Sequence, residues 1–97
     1  MKTLDKLLAS LDEATCPATI NGPLSALWHD AKGDWHAAHD AAQLEANADG
    51  AWVHAYLHRK EGDLPNANYW YRRAERTMPN NTLQQEWRDI ATTLLDR

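Results

Sequence analysis

Residues 51–79 read AWVHAYLHRKEGDLPNANYWYRRAERTMP, and this stretch predicts two helices joined by one tight turn. The segment 51–61 is rich in helix-forming residues and stops at Gly62, a residue that readily adopts the left-handed conformation that ends a helix. Asp63 can then cap the next helix with its carboxylate, and Pro65 suits the first turn, where its missing N–H has no partner within the helix. We therefore predict a helical hairpin that turns back after Gly62.

Helical spacing extends over the rest of the chain. Apolar residues near both ends recur at the i, i+3, i+4 positions of one helix face, and no segment alternates with the period of two that strands require. Because 97 residues suit one domain, we predict a single all-α domain of about six helices, stacked as antiparallel hairpins. Its predicted parts are an N-terminal helix within 1–14, a first hairpin within 23–48, a second hairpin within 50–78 and a C-terminal helix within 82–96, with a break between the hairpins at 47–50.

An internal repeat supports this organisation. LWHDAKGDWHAA (27–38) aligns without a gap with YLHRKEGDLPNA (56–67), so that Gly33-Asp34 matches Gly62-Asp63 at an offset of 29 residues. In each copy a glycine ends one helix, an aspartate caps the next, and small alanines allow the two helices to approach closely. Such hairpins cannot bury their apolar faces alone, and we expect the two copies to stack.

The second copy resembles the tetratricopeptide repeat family. It has a small residue, Ala55, in the first helix and Gly62-Asp63 at the turn. The family's small, aromatic, small and proline positions of the second helix are filled by Ala67, Tyr71, Ala74 and Pro79. His54 and His58 depart from the family, which has Leu and a Tyr-like aromatic there. The resemblance implies a stack of helical hairpins with a concave groove that grips peptides. The segment 51–63 also resembles small bacterial helical proteins, which adds no activity.

Composition excludes several classes of partner. The net charge is −4 and no basic stripe exists, so we expect neither nucleic acid nor anionic membranes to bind. Prolines and polar residues interrupt every apolar run, so no membrane span is predicted. The single cysteine, Cys16, allows no intrachain disulfide, which favours a cytoplasmic location.

Two aromatic and basic strips are the predicted binding surface. Trp52, Tyr56 and Arg59 share one face of the predicted helix at 51–61, the fourth in the chain (the α4 strip). The fifth predicted helix, which follows Asp63, carries a similar set, Asn66, Trp70 and Arg73 (the α5 strip). In the family that this chain resembles, the face carrying the α4 strip lines the groove, and Trp, Tyr and Arg are enriched at binding hot spots. We therefore predict a non-catalytic module that binds a protein or peptide, and the apolar stripes of the end helices favour a homodimer. The alternative is that the tryptophans fill the core.

Histidines supply a second hypothesis. His54 and His58 lie on one face of one helix, and antiparallel packing would bring His39 toward them. Together with a carboxylate, Asp40 or Glu61, they would suit zinc or a similar divalent metal in a small metal-binding or enzymatic domain. The HExxH pattern of metalloproteases is absent. The alternative is that these histidines are packed side chains with hydrogen-bonded neighbours.

No catalytic residue is predicted. Asp34, Asp49 and Asp63 each precede a helical run, which indicates helix caps rather than acids or bases. Ser10 and Ser25 lack the flanking glycines of a nucleophile elbow.

Overall fold

The computed structural model describes residues 3–97, and all regular structure in that range is helical. The predicted all-α fold of about six helices is therefore confirmed; residues 1–2 of the predicted N-terminal segment lie outside the described part. No helix among the described residues is long and apolar enough to cross a membrane. The helices are α1 (Leu4–Ser10), α2 (Gly22–Ala31), α3 (Trp35–Gln43), α4 (Ala48–Glu61), α5 (Leu64–Arg73) and α6 (Leu83–Leu95).

The two repeated turns form as the sequence predicts. Gly33 and Gly62 have φ angles of 84° and 92°, in the left-handed region that suits glycine. The carboxylates of Asp34 and Asp63 accept hydrogen bonds from backbone N–H groups in the first turns of α3 and α5. As a result α2 packs on α3, α4 packs on α5, and α3 packs on α4 to join the two hairpins.

The predicted break at 47–50 is wrong in its extent, because α4 already begins at Ala48. Asn47, not Asp49, caps this helix, and its side-chain oxygen accepts a hydrogen bond from the Gly50 N–H at 2.9 Å. Asp49 lies in the first turn and pairs with Arg97 at 2.9 Å. Gly50 therefore lies inside a helix, where its missing side chain allows the backbone of Glu45 to approach closely.

Replacing Gly50 by alanine is expected to destabilise the protein, although alanine is the better helix former. A Cβ atom at this position would clash with the Glu45 backbone oxygen. Helix propensity alone predicts a gain of about 1 kcal/mol, whereas overpacking predicts a loss of about 1–3 kcal/mol in the free energy of unfolding. Urea denaturation distinguishes the two signs. Gly62→Ala is the control, since no atom lies within 4 Å of the Cβ position and the substitution is opposed only by the left-handed backbone conformation. A Gly50→Ala variant that is more stable than the wild type would contradict the close approach of Gly50 to Glu45.

The last helix closes the domain. α6 packs on α1, α2 and α4, and Trp87 donates its indole N–H to the Leu27 backbone oxygen at 3.0 Å. The apolar stripes of α1 and α6, which were predicted to pair between two copies of the chain, contact each other within one copy. The homodimer stays a prediction.

Two buried carboxylates fix α6 and α2 to α4. Glu86 is 2% exposed and accepts hydrogen bonds from Tyr71 Oη at 2.6 Å and from Arg59 Nη1 at 2.7 Å. Asp30 accepts from Tyr56 Oη at 2.8 Å. Burial, together with these carboxylates, raises the pKa of both tyrosines far above the ordinary value, so the phenols stay protonated and donate.

Candidate metal centre

Three histidines converge where α3 packs on α4. One ring nitrogen from each of His39, His54 and His58 lies within 4.8 Å of the others, and we call this set the histidine cluster. The two from α4 are one helical turn apart, and the packing of α3 on α4 supplies the third. The structure thus brings together the three residues that the sequence predicts as metal ligands, whereas His36 on the same helix as His39 lies exposed outside the cluster.

The hydrogen bonds of the cluster leave ring nitrogens unused. His39 and His54 make no hydrogen bond to any residue in 3–97, although His54 is only 5% exposed. His58 Nδ1 lies 2.5 Å from Glu61 Oε2. We assign the proton to Nδ1, which then donates to the carboxylate. Nε2 then carries the lone pair and accepts a hydrogen bond from Asn66 Nδ2 at 3.4 Å, which a metal ion would have to displace. A carboxylate behind a histidine in this way orients the ring and raises its basicity as a ligand.

Burial favours the uncharged form of two members of the cluster, His54 and His39. Desolvation, followed by the nearby His39 and His58, lowers the pKa of His54 to about 4. Desolvation, followed by His58, also lowers the pKa of His39. Neutral imidazoles bind metal ions and protonated ones do not, so these shifts favour metal binding at physiological pH.

Two tryptophans enclose the cluster. Trp35 stacks on His39 with ring centroids 5.0 Å apart, and Trp70 stacks on His54 at 3.9 Å. The Trp35 indole N–H donates to the Leu57 backbone oxygen at 3.0 Å, which fixes this ring between α3 and α4. Our sequence analysis missed Trp35 as part of the site, although its position four residues before His39 was a usable signal.

The nitrogens of the cluster are farther apart than in a zinc site. Zn–N bonds of about 2.0–2.1 Å place ligand nitrogens about 3.3 Å apart, compared with separations of up to 4.8 Å here. The nitrogens would therefore have to approach one another, and the stacked rings of His54 and His58 would have to reorient, before one ion could bind all three. Of the two predicted carboxylates, Glu61 lies beside His58, whereas Asp40 belongs to none of the potential ligand groups found among the described residues.

The α4 strip lies in the core. Trp52 and Tyr56 are 6% and 3% exposed, and Arg59 forms an ion pair with the buried Glu86 of α6. The face predicted to line a groove therefore packs against α6 and, through Tyr56 and Asp30, against α2. Trp52 is a core residue, as the alternative interpretation has it, and a binding role for this face stays a prediction.

The α5 strip has a different environment. Asn66 and Trp70 are half-buried and Arg73 is exposed, so this strip remains accessible. Arg73 lies over the Trp70 ring at 5.3 Å and the Tyr69 ring at 5.8 Å.

No protein-family model, curated protein or solved structure compared with this chain matches it. The resemblance to tetratricopeptide repeats therefore stays a prediction, and the functional argument depends on the chain's own geometry.

Proposed function

We propose that this protein binds one divalent transition metal ion through His39, His54 and His58. The observation that carries the proposal is the convergence of three imidazoles, two of which have no hydrogen-bond partner among residues 3–97. No buried side-chain nitrogen or oxygen among the described residues lacks a partner. The ring nitrogens of His39 and His54 that make no hydrogen bond are therefore open to solvent, and imidazole nitrogens in that state can bind a metal ion.

The ligand set favours particular metals. Three imidazole nitrogens without a thiolate suit zinc, copper, nickel or cobalt and disfavour magnesium and calcium, which prefer oxygen. Because His39 comes from α3 and the other two ligands from α4, the ion would also join the two hairpins. Three protein ligands leave a fourth position for water or another ligand, as in catalytic rather than closed structural zinc sites.

Zinc is expected to bind the tag-free protein at one equivalent and to stabilise it. At a free zinc concentration of about 100 times Kd, the free energy of unfolding should rise by about 2.7 kcal/mol. Isothermal titration calorimetry measures the binding. His39→Gln should weaken it by about tenfold or more, since an amide is a poor replacement for imidazole.

His36→Gln is the matched control, because it removes an exposed histidine from the same helix three residues away. Equal zinc affinity in the His39 and His36 variants would contradict the proposed site.

A second candidate function is protein or peptide binding through the accessible α5 strip. The supporting observation is an exposed aromatic beside it, since Tyr69 is 45% exposed and the Arg73 guanidinium lies over its ring. A guanidinium and an aromatic face recognise carboxylate and apolar groups of a peptide. Replacing Tyr69 and Arg73 together by alanine should abolish capture of a peptide selected by display on the wild-type protein, and undiminished capture would count against this surface.

A further inference from the structure

A small pocket lies next to the histidine cluster. It has a volume of about 230 Å³ and includes His54 of the cluster in its lining. At about 30 Å³ per water, this is room for about eight waters, the size of a small organic molecule. Its polar lining residues are His54, Trp70, Arg73, Gln43, Glu45 and Asn47.

Three residues that line this pocket have N–H groups without a carboxylate partner. Four of the five indoles donate their N–H groups within the protein, and Trp70 alone donates to no residue in 3–97. His54 is 5% exposed and has no partner either. Arg73 donates to the Tyr69 hydroxyl at 3.2 Å but forms no ion pair with a described carboxylate. Three residues of the pocket lining thus carry N–H groups that are not paired with a carboxylate, a set that suits an anionic ligand.

The one acid in the lining is directed elsewhere. A carboxylate oxygen of Glu45 lies 3.2 Å from the Cβ position of Gly22, at the beginning of α2. There it is favourably placed near the positive end of the helix dipole. Ala48, the first residue of α4, lines the pocket, so the N-terminus of this helix adds attraction for negative charge.

A metal ion bound to one nitrogen of His54 would leave the N–H of the other nitrogen in need of an acceptor. A histidine that ligates a metal with one nitrogen almost always donates its other N–H to a carboxylate, a carbonyl or water. Glu61 serves His58 in this way. His54 has no such partner in the described chain, and it is the cluster member that lines the pocket.

We propose that this pocket binds a small carboxylate, which accepts hydrogen bonds from the His54 and Trp70 N–H groups and pairs with the Arg73 guanidinium. The inference rests on the proposed function for the assignment of one His54 nitrogen to the metal and the other to the ligand. The bound carboxylate then accepts the N–H of His54, as the Glu61 carboxylate accepts the N–H of His58. Bound metal should consequently raise the affinity of the protein for the carboxylate. Bound carboxylate should raise the affinity for the metal by the same factor, because linkage is reciprocal.

Acetate is the probe. The wild-type protein, made metal-free on a chelating resin, is titrated with sodium acetate while the Trp70 indole N–H resonance is followed by NMR, with sodium chloride at equal ionic strength as the reference. We expect a saturable shift with acetate only, and a loss of affinity of about tenfold or more in Arg73→Ala. Arg72→Ala, which removes the exposed neighbouring guanidinium outside this pocket, is the control and should bind acetate as the wild type does.

The outcomes separate this inference from the proposed function. No saturable shift, or equal acetate affinity in the wild type and Arg73→Ala, overturns the carboxylate pocket even where zinc binds. Acetate binding that persists in a protein that fails to bind zinc overturns the metal proposal and leaves the pocket itself supported. With zinc bound at one equivalent, a severalfold tighter acetate affinity supports the coupling through His54, and an unchanged affinity overturns it.

Discussion

Replacing Glu86 by alanine is expected to lower the free energy of unfolding by about 3–5 kcal/mol, the largest effect of any substitution considered for this protein. Glu86 is 2% exposed, and its carboxylate accepts hydrogen bonds from Trp52, Arg59 and Tyr71. Its removal leaves a largely buried guanidinium without a counter-ion and two buried donors without acceptors. Urea denaturation followed by circular dichroism measures the loss.

Two further variants keep this prediction testable if the alanine variant does not fold. Glu86→Gln retains an oxygen acceptor and should be destabilised less, by about 2–3 kcal/mol, because only the charge is lost. Glu13→Ala, which removes an exposed carboxylate outside the side-chain hydrogen bonds described, should remain within about 0.5 kcal/mol of the wild type. A Glu86→Ala variant as stable as Glu13→Ala would show that α6 is not held to α4 as the structure describes.

Mild acid is expected to destabilise the metal-free wild type by about 2 kcal/mol more than a His54→Gln variant between about pH 7.5 and pH 5. The pKa of His54 is lowered from 6.5 to about 4 in the folded protein, chiefly by burial. The unfolded chain therefore binds more protons in this range, and stability is lost as the pH falls from the unfolded value toward the folded one. Urea denaturation at the two pH values measures the difference.

The comparison cancels the contribution of the carboxylates, which both proteins share. His36→Gln is the matched control, since its histidine is exposed and its variant should keep the acid sensitivity of the wild type. If His54→Gln loses as much stability as the wild type on acidification, the imidazole is not buried in the neutral form and the electrostatic account of the histidine cluster is wrong.

The hairpins were predictable because their signals are local. A glycine followed by an aspartate ends one helix and caps the next within a few residues, and both turns form as expected. The beginning of α4 was harder, since Asn47 and Asp49 are both plausible caps and only the close approach of Gly50 to Glu45 explains the glycine inside the helix.

The environment of the α4 strip was not predictable from spacing. Trp52, Tyr56 and Arg59 share a helix face whether that face lines a groove or meets another helix. What decides is α6, whose Glu86 is 27 residues from Arg59 in sequence. Contacts at this separation depend on how the whole chain packs, and helical periodicity carries no information about them.

The histidine cluster was partly predictable. Spacing alone placed His54 and His58 on one face, and the assumption of an antiparallel hairpin stack brought His39 to them. The ring stacking of Trp35 and Trp70 and the absence of hydrogen-bond partners for two imidazoles required coordinates. The convergence of three ring nitrogens within 4.8 Å, rather than the number of histidines, makes the metal hypothesis specific.

X-ray absorption at the zinc edge, on protein loaded with one equivalent of zinc, tests the central claim most directly. The account predicts a first shell with about three imidazole nitrogens at about 2.0–2.1 Å, reduced to about two in His39→Gln and unchanged in His36→Gln. A shell made of oxygen alone, or one that is the same in both variants, would contradict it.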